Sequence, residues 1–243
     1  NVTGVQTCAL PISAAGGLEY LHGIAWLDGG HFTFEGWWAH DEPQERLVFE
    51  RLIDFIVERR SKFPNMHVYH YAPYEKTAIG RMMGKYGTRE DEVDDLLRSG
   101  VFVDLYKVVR QGVRVGTTSY SIKKLEPLYM APRNDEIGDG GSSVVEYERW
   151  LHTGDEKILS AILAYNRDDV QSTQQLHGWL LTLKPTDVPW FGRGAARAQD
   201  AAADERDQSS NAKALTLRIE DTAQRLTQIK ADEKLRAAAQ DDS

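Results

Sequence analysis

Apolar and polar positions along the chain alternate between two periods, and each change of period marks an element. The longest helical pattern covers residues 161–181, where Ile162, Tyr165, Leu176 and Leu180 recur at helical spacing with Asp169 among them. No Gly or Pro interrupts it before Gly178. Near the start, residues 18–27 form an apolar and aromatic run that predicts a strand. Asp28-Gly29-Gly30 is turn chemistry, and residues 31–38 predict the returning strand of a hairpin. Asp41 then caps a predicted helix to residue 60, with an apolar stripe of Leu47, Leu52, Phe55 and Ile56.

Pro64-Asn65 breaks the chain before a short predicted strand at 66–71, and Pro73 opens a helix to residue 86. An acidic helix is expected at 88–99, a short apolar run at 101–105, and a capped helix at 119–129. Residues 133–143 read as a Gly- and Asp-rich loop and 144–152 as a short helix. Beyond Leu183 periodicity fades, so 184–210 reads as a linker. A helical stripe of Leu215, Ile219, Leu226 and Ile229 returns in 211–243, as the start of a following region. Hairpin, helix, strand, helix, strand and several helices make an α/β layout with an antiparallel edge on a mixed sheet.

Composition narrows the function. The 243 residues are 41% hydrophobic and 27% charged, as in a globular protein, and no apolar run is long enough to cross a bilayer. The net charge of −8 argues against clinging to nucleic acid through overall charge. A local exception lies between Val101 and Lys124, where Lys107, Arg110, Arg114, Lys123 and Lys124 face one acid, Asp104. The single cysteine, Cys8, excludes a disulfide frame and a thiolate metal site and fits a cytoplasmic setting. Residues 1–13 lack the features of a signal peptide. Val2 to Ile12 reads as the translation of a sequencing-adapter end, so 1–13 is expected to be non-native and does not enter the fold reasoning.

Tyr165 and Asp169 stand four apart and share a helix face. Spacing alone leaves two readings, a partly buried tyrosine beside a solvated acid, or a metal-ligand carboxylate beside a phenol that orients a water or phosphate oxygen. Asp168 points about 100° away on the helix and reads as solvated or supporting. Glu75, in the first turn of its helix, suits either the helix dipole or a ligand role.

The segments MHVYHYAPYEKTAIGRM, VFVDLYKVVR, SYSIKKLEPLY and ILAYNRDDVQST together resemble the ribonuclease H-like exonuclease domain of the YprB type. That family is related to the DEDD exonucleases and is found in RecB-like nuclease–helicase proteins. The resemblance covers residues 17–183 and frames a nuclease domain at 14–183. It implies a ribonuclease H-like mixed sheet with flanking helices and a 3′–5′ exonuclease using two Mg²⁺ or Mn²⁺ ions on DNA or RNA, with a helicase domain in the same parent chain and no membrane. Carried over, Asp169 and Glu75 are metal ligands and Tyr165 positions the nucleophilic water. His70 and Asp104 become supporting residues, as Asp168 does. Asp104 also suits a helix cap. Arg110, Arg114, Lys123 and Lys124 are candidates for tracking a phosphate backbone.

Two departures matter. Glu75 stands where the family has Asp. The family's Asp-x-Glu on the first strand has no counterpart, since its position falls in or before the adapter-like segment. The first strand is thus expected to be missing or replaced, and two of four acids are absent. A non-catalytic nucleic-acid-binding or scaffold module of a helicase is the rival reading.

Overall fold

The computed structural model describes residues 5–8, 17–132 and 140–188. The expected helix at 211–243 and nearly all of the expected linker lie outside the described residues. Among the described residues five strands form one sheet, β1 (Val5–Cys8), β2 (Leu21–Asp28), β3 (His31–Trp38), β4 (Val68–His70) and β5 (Phe102–Asp104), in the spatial order β3-β2-β1-β4-β5. β2 pairs antiparallel with both β1 and β3, whereas β1, β4 and β5 run parallel. This is the mixed α/β sheet that the sequence implies.

The hairpin forms as predicted, because Gly29 and Gly30 both take positive φ (54° and 89°), which a two-residue loop of the favoured twist requires. The slot of the first strand is filled from the adapter-like segment: Val5–Cys8 is the middle strand of the sheet, in keeping with a replaced first strand. It pairs with β2 from Val5–Trp26 to Cys8–Gly23 and with β4 at Val5–Val68. β2 and β4 each present an unpaired row of peptide groups toward this slot. Pairing them requires extended backbone, which Val and Thr favour, and makes little demand on side-chain identity.

Among the described residues seven α-helices flank the sheet: α1 (Glu42–Lys62), α2 (Tyr74–Tyr86), α3 (Glu90–Arg98), α4 (Leu105–Gly112), α5 (Ile122–Leu125), α6 (Gly140–Thr153) and α7 (Glu156–Leu183). Strand alternation sorts them into two layers. Ile24, Val68 and Phe102 point to the layer of α1, α2 and α3, where Leu52, Ile53, Ile79 and Leu96 complete the main core. Leu21, Ala25 and Tyr69 point to the other layer, against Ile162, Val170 and Leu176 of α7 and Val109 of α4.

Asp41 caps α1 by accepting from the Gln44 amide at 2.8 Å, as expected. Its buried stripe is Phe49, Leu52, Ile53 and Ile56, and Leu47 is 64% exposed. Leu47 lies two residues before Phe49, about 200° round the helix, so it was wrongly assigned to the inner face. The helix expected over 119–129 is also shorter. Pro127 lacks an amide hydrogen and clashes with the preceding turn, so α5 ends at Leu125 and a 3-10 turn covers Glu126–Leu128.

Two glycines set how close α7 lies to the sheet. A Cβ on Gly23 would fall 1.8 Å from Asn166 Oδ1, and one on Gly36 would fall 2.4 Å from Leu163 Cδ1. Glycine lets Asn166 and Leu163 keep these positions, which an added Cβ would force them to leave. Ion pairs on the outer surface, such as Arg89–Asp54 and Arg60–Asp95, contribute up to about 1 kcal/mol each, so core burial holds the α1–α3 layer.

Candidate functional site

β4 ends at His70, and the chain turns sharply into α2. The turn passes through Ala72, whose φ of 73° is left-handed and strained for a residue with a Cβ. Two side chains hold it there. His70 Nδ1 donates to the Ala72 carbonyl at 2.6 Å, and the Ala72 amide donates to Asp104 Oδ1 at 3.0 Å. Asp104 Oδ1 also accepts from the Tyr106 amide at 2.9 Å, so Asp104 caps α4 while tying the ends of β4 and β5 together.

Glu75 follows in the first turn of α2. Its Oε2 lies 3.5 Å from His70 Nδ1, and both side chains are buried. Burial pushes the Glu75 carboxyl above the usual range, more than His70 lowers it. Burial lowers the His70 imidazole, but Glu75, Asp104 and the Ala72 carbonyl outweigh it and leave it raised. Glu75 Oε2, His70 Nε2 and Asp104 Oδ2 are buried without a hydrogen-bond partner among the described residues. The structure therefore gathers Glu75, His70 and Asp104 into one group beyond the ends of β4 and β5.

Tyr165, Asp168 and Asp169 lie on α7, across the sheet from α2. Tyr165 packs with Leu21 and Ile162, and Lys123 Nζ sits 4.5 Å from its ring centroid. Asn166 lies against Gly23, which pairs with Cys8 at the end of β1. Asp169, half-buried, is one turn further along that face. Asp168 is half-buried beside it, and Arg110, Arg114 and Lys124 are exposed on or near α4 and α5. The turn bearing Glu75 and the Tyr165–Asn166 part of α7 thus approach the carboxyl ends of two adjacent parallel strands, β4 and β1, from opposite faces, and from Asp169 onward α7 runs back toward Ala25, which pairs with Gln6. In open α/β sheets that end is where ligands bind.

A second polar group went unread in the sequence. Glu19, just before β2, and Glu45, in the first turn of α1, are fully buried, and the Glu19 amide donates to Glu45 Oε1 at 2.5 Å. Helix α2 closes over them. Tyr74 donates to Glu19 Oε1 at 2.8 Å, and Arg81 pairs with the same oxygen. Lys85 reaches Glu45 Oε2 at 2.9 Å, and Tyr86 donates to it. Burial pushes Glu19 up to about 8, against the pull of Arg81 and Tyr74. His22, two residues into the apolar run of β2, is fully buried with neither ring nitrogen partnered among the described residues, and burial holds it down at about 4. The only hint in the sequence was a Glu and a His inside an apolar run.

The family model RNase_H_2, described as RNase_H superfamily, matches residues 9–181. The chain belongs to the ribonuclease H superfamily, and that membership points to hydrolysis of nucleic acid of the nuclease type. The comparison with curated proteins gave no match, and neither did the comparison with solved structures. Among the described residues no helix is long and apolar enough to cross a membrane.

The superfamily generally uses divalent metal ions. Carboxylate oxygens such as those of Glu75 and Asp169 suit a hard cation, and Glu75 Oε2 is an orphaned buried acceptor. Among the described residues, however, no group of three or more His, Cys, Asp or Glu side chains is placed to hold a metal ion. The described donors by themselves therefore form no metal centre.

Proposed function

We propose that this domain is a 3′–5′ exonuclease module acting on DNA or RNA and belonging to a larger nuclease–helicase, with Asp169 and Glu75 as the ligands this chain supplies to Mg²⁺ or Mn²⁺. The metal would supply Lewis-acid activation of water at the scissile phosphodiester. Tyr165 orients the reacting oxygen, and Asp104 and His70 hold the turn that presents Glu75. The reading is supported by one observation: Glu75's turn and the Tyr165–Asn166 part of α7 lie near the carboxyl ends of β4 and β1, on opposite faces of a sheet of the nuclease superfamily. The test is cleavage of end-labelled single-stranded DNA with Mn²⁺ by the longer parent protein. Stepwise shortening from the 3′ end that is lost in Asp169→Asn is expected. Unchanged cleavage in Asp169→Asn rejects the assignment.

The second reading is a non-catalytic nucleic-acid-binding or scaffold module. It is favoured by Glu75 being directed onto His70 and by the lack of a three-donor group among the described residues. DNA binding by the parent protein without any Mn²⁺-dependent cleavage would select it.

A further inference from the structure

The next inference rests on the nucleic-acid reading above and concerns how a strand is held. Helix α5 is fixed at its base by Leu125, fully buried with Val109 and Leu176. From that base Lys123 extends over α7 and holds its ammonium 4.5 Å from the Tyr165 ring centroid. Tyr165 packs on Leu21, two residues beyond the Gly23–Cys8 pair, so the ammonium stands past the carboxyl end of β1. Lys124, Arg110 and Arg114 are exposed on the same stretch of chain, and Arg110 stands 5.6 Å over the Tyr106 ring. The stretch 101–124 carries five cations against one acid on a chain whose net charge is −8, and Asp168 and Asp169 of α7 lie within about one turn of the ring that Lys123 covers.

A cation over an aromatic ring at a partly exposed site contributes about 0.5–1 kcal/mol. That is too little to account for a basic rim on an acidic protein, but it is enough to restrict where a flexible lysine points. We infer that Lys123 is a phosphate-contacting residue of this site, holding one backbone phosphate of a single strand beside Tyr165. The competing role is purely steric, with the lysine stem covering the tyrosine ring.

The two roles separate in the salt dependence of binding. Each phosphate neutralised on a single strand adds about 0.7 to the slope of log K against log salt. A fluorescein-labelled oligothymidylate is titrated with the 243-residue chain in EDTA across a sodium chloride series and read by anisotropy. Lys123→Met keeps the apolar stem over Tyr165 and removes the charge. It is expected to weaken binding and to lower the slope by about 0.7, with an unchanged thermal transition, whereas Lys123→Arg keeps the wild-type slope. Lys157→Met, on the exposed start of α7, is expected to leave the slope unchanged. A wild-type slope in Lys123→Met, or an equal loss in Lys157→Met, overturns the assignment while leaving the nucleic-acid reading intact. No binding by the wild-type chain overturns both.

Discussion

His70 and Glu75 face each other across the turn at Ala72, with Nδ1 and Oε2 3.5 Å apart and both side chains buried. His70 Nδ1 gives its one hydrogen to the Ala72 carbonyl, so the imidazole holds the strained backbone and leaves Glu75 Oε2 without a hydrogen bond among the described residues. A cation at Glu75 would meet that open oxygen. The turn does not depend on the cation, since Asp104 holds it from the other side through the Ala72 amide.

The left-handed φ at Ala72 makes the sign of one substitution informative. Ala72→Gly removes a strain of about 1–2 kcal/mol and adds about 0.4–1 kcal/mol of unfolded-chain entropy. Both backbone hydrogen bonds survive. Denaturant unfolding should show a net gain in stability between about zero and about 1.6 kcal/mol.

The approach of α7 to the sheet should tolerate no added atom at Gly23. Gly23→Ala places a Cβ 1.8 Å from Asn166 Oδ1 and should lower stability by about 1–3 kcal/mol. Adding Asn166→Ala in the same chain should recover part of that loss, so the cycle should show non-additivity between the two sites.

His22 governs part of the acid limb. Its imidazole falls from 6.5 to about 4 on folding, so below 6.5 the unfolded chain binds the extra proton and stability drops as pH falls through that window. The full swing is about 3 kcal/mol. His22→Leu removes two unpartnered nitrogens and should flatten stability between about pH 4 and 6.5, read from urea midpoints.

Glu19 acts in the opposite direction. Its carboxyl rises from 4.5 to about 8 on folding, so the folded chain keeps a proton that the unfolded chain releases. The contribution is fully present below 4.5 and is lost as pH rises through 8. Glu19→Gln retains an acceptor for Tyr74 and Arg81 and should remove this decline, so urea midpoints measured across that range would be level where the wild-type values fall.

Elements whose pattern depends on local sequence were legible. The Asp28-Gly29-Gly30 turn, the Asp41 cap and the long stripe around Ile162 each state their geometry within a few residues. β1 was not legible, because Val5–Cys8 earns its place through peptide groups offered by β2 and β4, which no side-chain pattern encodes. At the candidate site, spacing put Tyr165 and Asp169 on one helix face but left their roles open, and the family resemblance, not position, made Glu75 a ligand candidate. The buried Glu19–Glu45 pair could not, since its partners Tyr74, Arg81, Lys85 and Tyr86 lie on a helix that only the fold brings over them.

The most direct measurement is Mn²⁺ binding to the 243-residue chain, followed by the loss of the free-ion electron paramagnetic resonance signal. A cation gripped between α7 and the β4 turn predicts binding that Glu75→Gln and Asp169→Asn each weaken by about tenfold or more, the effect of losing one charged ligand worth at least about 1.4 kcal/mol. Binding that is absent, or that both variants leave at the wild-type level, contradicts a site shared by these two carboxylates.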